Sequence, residues 1–317
     1  MRRALLVVAV VAGALVPAAP ASAHGGDTPS STSFRTRVSG VTPAAPGLSV
    51  TTVEAGARLE LTNDTGRTVE VLGYSDEPYL EVRPDGTYEN ARSPAAYLNR
   101  TLAGDTPVPA DADATAPPQW RRVSGDRTVR WHDQRTHWMG DGLPPAAAAD
   151  PGRSHRIRDW VVPLRQEATS FEVRGTLDYL PPPPAWLWWA GVVLVGLAAF
   201  RWTWLGGVAG VAVIAYAVLQ TLEALAPVVA FAAGLIGVLS AFQRSSPFLT
   251  ALAGVVLAIF GGLVDVGVFG AAVVPVQGPY WIARAAVMLA VGAGLGMAAS
   301  GVIRLKEMSG AGDKVPA

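Results

Sequence analysis

Alternating apolar and polar residues fill the first half of the chain. In 171–179, Phe171, Val173, Leu177 and Tyr179 alternate with polar residues, a period of two that predicts a half-buried β-strand. The same reasoning predicts strands at 34–38, 48–53, 58–62, 68–72, 79–83, 127–131 and 159–164. Between them, Asn-Asp-Thr-Gly at 63–66 predicts a short hairpin, and Pro-Asp-Gly at 84–86 a tight turn.

Short strands with little helical periodicity predict an all-β domain over 24–180. We expect an immunoglobulin-like sandwich of about seven strands, with a barrel as the alternative. The stretches 101–118 and 140–152, rich in Ala, Asp, Pro and Gly, predict loops.

Long apolar runs dominate the chain from residue 186 onward. They predict an all-α transmembrane bundle of about five helices within 186–305, with spans near 186–201, 204–222, 226–242, 248–268 and 280–303. A proline-rich linker, 181–185, precedes this region, and a tail, 306–317, follows it. Arg201, Arg244 and Arg304 would then share one side, which the positive-inside rule makes cytoplasmic, together with the tail. The domain 24–180 would lie outside the cell membrane.

The N-terminus has the three parts of a secretory signal peptide. Arg2 and Arg3 precede an apolar run, and Ala21-Ser22-Ala23 forms a small-x-small cleavage site. We therefore predict a bacterial-type signal peptide over 1–23 and a mature chain that begins at His24. An uncleaved signal anchor is the alternative.

Composition excludes several classes of function. Residues 24–184 carry 17 Arg against 21 Asp and Glu, and no basic cluster stands clear of acids, so we predict no nucleic-acid partner. The chain has no cysteine, which excludes disulfides and thiolate sites. The common catalytic motifs are absent, and we predict that the protein is not an enzyme.

A few residues within the apolar half need their own interpretation. Glu223, Asp265 and Arg284 are ionisable, and an Asp265–Arg284 ion pair between neighbouring helices is the expected arrangement. Small residues predict close helix contacts, although glycine is common in membrane helices anyway. They are Gly254, Gly261 and Gly262 in the fourth run and Gly292, Gly294 and Gly296 in the last.

Candidate chemistry is concentrated in residues 131–139, Trp-His-Asp-Gln-Arg-Thr-His-Trp-Met. His132 and His137 could share one ion if a turn at 133–135 brought them together, and Met139 could add a soft ligand. Histidines that cap strands or pair with Asp133 are the alternative. The tryptophans are expected in the core rather than on a ligand platform; they are Trp120, Trp131, Trp138 and Trp160.

An N-terminal histidine offers a free amine and an imidazole to one metal, and a second imidazole completes a planar nitrogen set that suits Cu(II). In this respect His24 resembles the copper brace of secreted copper-carrier β-sandwich proteins and oxidative polysaccharide-cleaving enzymes. The resemblance implies copper as a cofactor, with His24, His132, His137 and Met139 as ligands. Unlike fused copper importers, this chain has no His, Asn or mid-depth acid in its apolar helices and only Met288 and Met297 as soft ligands, which argues against copper transport.

Residues 73–80, 93–99 and 130–140 also resemble a bacterial family of signal-bearing, membrane-anchored extracytoplasmic proteins. That resemblance assigns no activity.

Three functions follow from these observations. The first is a membrane-anchored extracytoplasmic module that binds copper. The second is a module that binds an envelope protein or polymer and whose histidines are structural. An oxidative copper enzyme is the third, and it has the least support.

Overall fold

The computed structural model describes residues 29–220, 225–240 and 246–312. Helix accounts for 41% and strand for 26% of the residues, so the chain is a mixed α/β protein. The prediction of an all-β domain joined to a five-helix transmembrane bundle is therefore wrong. The predicted signal peptide, His24 and Glu223 lie outside the described residues.

The described residues form ten strands, and all eight predicted strands are among them. In chain order they are β1 Phe34–Thr42, β2 Leu48–Val53, β3 Arg58–Asn63, β4 Val69–Leu72, β5 Pro78–Arg83, β6 Gly86–Asn90, β7 Trp120–Ser124, β8 Thr128–Trp131, β9 His155–Gln166 and β10 Thr169–Tyr179. Their pairing is antiparallel throughout: one sheet has the order β1-β10-β9-β4-β5-β6-β7 and the other β2-β3-β8.

Both sheets bury one face in a common apolar core. Leu59 and Leu61 of β3 meet Val162 and Leu164 of β9 there, because alternate residues of a strand point to the same side. The sheets have seven and three strands and remain separate. They are therefore neither the immunoglobulin-like pair of about seven strands nor the barrel that the sequence predicts.

Two turns test the turn predictions in different ways. Residues 84–86 form the predicted tight turn, since Arg83 pairs directly with Gly86. Residues 63–66 do not form a hairpin, because β3 and β4 belong to different sheets. The Asn63 side-chain amide stabilises this connection between the two sheets, because it donates to the carbonyls of Arg67 at 2.6 Å and Val82 at 2.7 Å.

Short helical turns interrupt the sheet-rich region. They are α1 Ala95–Leu98, α2 Pro145–Ala149, and the 3-10 turns η1 Glu54–Gly56 and η2 Gln134–Thr136. The α2 helix lies within 140–152, which was predicted as a loop. The other predicted loop, 101–118, contains neither helix nor strand.

The C-terminal region is helical, but its helices are mostly short. They are α3 Ala185–Arg201, α4 Leu205–Leu219, α5 Leu225–Ser240, α6 Pro247–Phe260 and α7 Tyr280–Gly312, with the 3-10 helix η3 Leu263–Phe269 before α7. Within the described residues, one helix, Tyr280–Ser309, is long and apolar enough to cross a membrane. The pair α6 and η3, bent by 46°, passes the same test only if it is one span.

Helix length is what overturns the five-span prediction. The helices α3, α4 and α5 have 17, 15 and 16 residues, whereas a bilayer core of ~30 Å needs ~20. The predicted fourth span is broken at Gly261 and Gly262, where α6 ends. The last helix continues to Gly312, beyond the predicted boundary at 303 and into the predicted tail.

Glycines bring these helices into backbone contact, as predicted. A Cβ atom on Gly254 would lie 2.5 Å from the carbonyl oxygen of Gly294, and one on Gly294 would lie 2.6 Å from that of Gly254. A Cβ atom on Gly296 would likewise lie 2.3 Å from the carbonyl oxygen of Gly196 in α3. Small residues at these positions let α7 pack closely against α6 and α3.

The polar residues of this region make other contacts than those predicted. Arg284 donates to the carbonyls of Val268 at 2.9 Å and Ala271 at 2.7 Å, so it caps the end of η3. Asp265 instead accepts a hydrogen bond of 3.4 Å from Gln220. The predicted Asp265–Arg284 ion pair is therefore wrong.

Candidate functional site

Three segments that are distant in sequence meet at one end of the two sheets. They are 73–80, 93–99 and 130–140, the segments on which the family resemblance rests. The last of them follows β8, and we call its residues 131–140 the His–Trp loop. It contacts the end of β4 through Arg135, and the turn between β2 and β3 through His132 and His137.

Asp133 is the centre of a buried ionic network within the His–Trp loop. Its carboxylate is fully buried and accepts hydrogen bonds from Arg135 Nε and Nη2, both at 2.8 Å, and from the Trp131 indole at 3.1 Å. Arg135 also donates to the carbonyls of Leu72 and Gly73. A paired, fully hydrogen-bonded carboxylate of this kind is weak evidence for stability but fixes the geometry of a loop.

Tyr74 and Asn99 connect the other two segments to the loop. The Tyr74 hydroxyl donates to Asn99 and accepts from the backbone amide of Gln134 at 3.0 Å. Burial, and then the nearby Asp133 charge, raise the pKa of Tyr74 well above its ordinary value, so the phenol stays protonated. The Arg135 guanidinium lies 4.9 Å from the centre of the Tyr74 ring, within reach of a cation–π contact.

Glu77 makes a second buried carboxylate contact behind this network. It accepts from the Ser93 hydroxyl at 2.7 Å and from the Ser75 amide at 2.9 Å. Gly73 leaves the space that Glu77 occupies, because a Cβ there would lie 2.0 Å from Glu77 Oε1.

His132 and His137 lie side by side, with ring centroids 4.3 Å apart, because η2 turns the chain between them. His132 Nδ1 lies 3.1 Å from the carbonyl oxygen of Ala57, and His137 Nε2 lies 2.9 Å from that of Gly56. The two imidazoles thus hold the turn between β2 and β3. Burial, and then the neighbouring His132, lower the pKa of His137 from 6.5 to about 4, so its ring is neutral near pH 7.

The turn that the histidines hold has an unusual backbone. Glu54, Ala55 and Gly56 all have positive φ, at 53°, 59° and 92°. Left-handed conformations cost free energy in residues with a side chain and persist where surrounding contacts enforce them. The hydrogen bonds of His132 and His137 supply that enforcement here.

The outer end of the His–Trp loop forms an open groove. The cavity has a volume of about 360 Å³ and is lined by Tyr74, Gln134, Arg135, Trp138, Met139, Gly140 and Arg158. Met139 is 43% exposed, while Trp138 is half-buried against the core. The Trp138 indole donates to the carbonyl of Gly142 at 2.9 Å and packs on Gly140, where a Cβ would lie only 2.7 Å from the ring.

Two of the predicted metal ligands, His132 and His137, lie next to each other in the structure. Both nitrogens of His137 face oxygen atoms of the protein, since Nδ1 lies 2.8 Å from the Thr136 hydroxyl and 2.9 Å from the Asp133 carbonyl. No group of three His, Cys, Asp or Glu residues in 29–220, 225–240 and 246–312 could hold a metal ion. Because His24 lies outside these ranges, copper binding stays a prediction.

The four tryptophans divide between buried and half-buried positions. Trp131 and Trp160 are buried in the core, as predicted. Trp120 lies at the start of the edge strand β7, and Trp138 lines the groove instead.

The sequence prediction missed Arg158 and Tyr74 as groove residues. Tyr74 falls within a segment that the family resemblance covers. Arg158 was missed because the strand was predicted to start at 159, whereas β9 starts at His155. With the earlier start, Arg158 lies on the face of β9 that carries Trp160 and Val162.

The chain matches no protein-family model, no curated protein and no solved structure. The groove must therefore be interpreted from its own chemistry.

Proposed function

We propose that the protein is a membrane-attached binding module whose groove at the His–Trp loop takes up a segment of an envelope protein. The observation that carries this proposal is the convergence of three distant segments behind a groove that half-buried Trp138 and exposed Met139 line. The buried network behind the groove costs desolvation and adds little stability, so positioning the groove is its best explanation.

The residue types of the groove favour a polypeptide partner over a polymer of sugars. Trp, Tyr, Met and Arg are the residues enriched at the centres of protein interfaces. Met139 offers a flexible apolar contact beside the rigid Trp138 ring, a combination that suits side chains of a partner. The groove volume is sufficient for one or two such side chains.

The place of action is part of the same proposal. The apolar helix Tyr280–Ser309 would attach the protein to the membrane. The signal-like N-terminus and the placement of the arginines favour an extracytoplasmic position for the sheet-rich region. The chemistry assigned to the groove requires no metal and no catalytic step.

Site-specific photocrosslinking in intact cells tests the proposal. A photoreactive residue at position 139 of the full chain should give one discrete crosslink that mass spectrometry maps to a single segment of one envelope protein. A synthetic peptide of that segment should bind the purified full chain, and Trp138→Ala should weaken this binding about tenfold or more, the usual scale for an interface anchor.

Position 123 provides the matched control. Val123 is 50% exposed on the edge strand β7 but does not line the groove. Identical crosslinking patterns from positions 139 and 123, or peptide binding that is unchanged in Trp138→Ala, would reject the proposal.

A further inference from the structure

Arg158 is the cation of the groove that has no acidic partner among the described residues. Both of its hydrogen bonds leave from Nη2, to the carbonyls of Gln134 at 3.3 Å and of His137. Its Nε is buried and makes no hydrogen bond with any described group. These two carbonyl acceptors position the guanidinium without neutralising its charge.

The other guanidinium of the groove differs from Arg158. The charge of Arg135 is matched by the Asp133 carboxylate at 2.8 Å, with bonds at both Nε and Nη2. Arg135 is therefore part of the support behind the groove. Among the described residues that line the groove, only Arg158 offers a positive charge that no carboxylate neutralises.

We infer that the groove binds a carboxylate of its polypeptide partner through Arg158, beside Trp138 and Met139. This inference rests on the proposed function and names the chemistry of the occupant. A charge-assisted hydrogen bond between guanidinium and carboxylate is about twice as strong as a neutral one. It would pair with the N–H groups of Arg158 Nη1, because both hydrogen bonds that Arg158 makes with described residues use Nη2.

One carboxylate fits the groove better than a phosphate. A dianionic phosphate calls for several donors, but the nearby donors are already used. The Gln134 amide N–H donates to Tyr74, its side-chain amide donates to Leu98, and the Tyr74 hydroxyl donates to Asn99. A single open guanidinium matches a single negative charge, and the neighbouring Trp138 and Met139 suit the apolar part of an acidic side chain or chain end.

Three capped amino acids test the assignment on the full chain in lipid nanodiscs. N-acetyl-glutamate amide carries a side-chain carboxylate, N-acetyl-glutamine carries a terminal one, and N-acetyl-glutamine amide is the neutral match. The readout is the NMR signal of a ¹³C-labelled Met139 methyl group, assigned with Met139→Leu. At least one of the two acids should bind about tenfold or more tightly than the neutral amide, and their relative affinity identifies the source of the carboxylate.

The matched variants are Arg158→Gln and Arg153→Gln. The Arg153 side chain is 82% exposed and lies outside the groove, so its variant should bind like the wild type. Arg158→Gln should lose the preference for the acids over the neutral amide. If Arg158→Gln does not fold, the comparison of probes on the wild type decides the question.

Several results would overturn the assignment. They are equal binding of acid and amide, equal or tighter binding of inorganic phosphate, and a preference for acids that persists in Arg158→Gln. A discrete crosslink at position 139 together with any of these would leave the proposed function standing and reject only the carboxylate. Binding of the acids without such a crosslink would support the carboxylate assignment and reject the proposed protein partner.

Discussion

At the scale of single residues, the two histidines are best explained as structural donors. Their N–H groups face the carbonyls of Gly56 and Ala57, which belong to a turn of left-handed backbone. The clustering of these histidines with Asp133 is visible in the sequence. What the sequence could not give was the position of that turn, which lies about 80 residues earlier and reaches the histidines only through the fold.

Protonation of His137 should weaken the fold in mild acid. Its pKa is about 4 in the folded protein, below the ordinary 6.5, so the unfolded chain binds more protons between these values. The contribution of neutral His137 to the free energy of unfolding is therefore fully present above pH 6.5. It is lost as the pH falls towards 4, by about 3 kcal/mol at most. Chemical unfolding of the full chain, followed by tryptophan fluorescence across this pH range, measures it.

Two variants separate protonation from loss of a contact. His137→Gln should flatten the pH dependence of the free energy of unfolding. Thr36→Val removes the 2.7 Å bond from the Thr36 hydroxyl to the Thr136 carbonyl, an anchor of the same loop that does not titrate. It should lower stability equally at every pH. A pH dependence that is unchanged in His137→Gln would contradict the explanation.

At the scale of elements, the period of two located the strands well because it reflects burial of one face. It did not locate β6 and β7, and it could not tell which strands pair. Residues 63–66 have the composition of a hairpin, yet they carry the chain from one sheet to the other. Whether residues 63–66 form a hairpin or connect two sheets depends on how both sheets share one core. The residue types of a turn do not determine that packing.

The same limit applies to the helices. Apolar composition located α3 to α7 closely, but it did not locate their ends: α4 is shorter than the predicted span, and α7 extends beyond it. The fourth run is broken at Gly261 and Gly262, where a Cβ on Gly262 would lie 2.5 Å from the Val291 side chain. The end of this helix coincides with a close approach to α7, and a window of hydropathy cannot detect such a contact.

One glycine tests how tightly the strands fit together. In Gly175→Ala on β10, the new Cβ would lie 2.1 Å from the Trp160 ring and 2.3 Å from the carbonyl oxygen of Arg37. Since backbone on one side and a buried ring on the other leave no space, we expect a loss of about 1–3 kcal/mol of stability, the usual cost of overpacking. Chemical unfolding of the full chain gives the value.

Gly125→Ala is the matched control for this substitution. It adds the same methyl group where the nearest side-chain atom, Arg122 Nη2, is 3.7 Å away. Its stability should stay within about 0.5 kcal/mol of the wild type, as for most surface changes. Equal effects of the two substitutions would show that strand packing at Gly175 is looser than the structure indicates.

At the scale of the whole molecule, the sheet-rich region and the helical region share a direct backbone contact. Thr32, which precedes β1, and Val273, which precedes α7, exchange two hydrogen bonds of 2.9 and 2.8 Å. The chain also connects the regions through the prolines of 181–184, a stiff spacer. Two separate connections restrict the orientation of the groove relative to the helices more than one linker would.

One substitution can remove a hydrogen bond of this backbone contact while the proline spacer stays intact. Val273→Pro deletes the amide that donates to Thr32, whereas Val273→Ala keeps that amide while losing similar apolar contact. We expect hydrogen exchange at Thr32 to become about tenfold or more faster in the proline variant than in the alanine variant, because loss of one bond weakens its partner in the same bridge. Exchange measured by mass spectrometry on the full chain in nanodiscs compares the two. Equal rates would mean that the amide of Thr32 is protected by something other than this bridge.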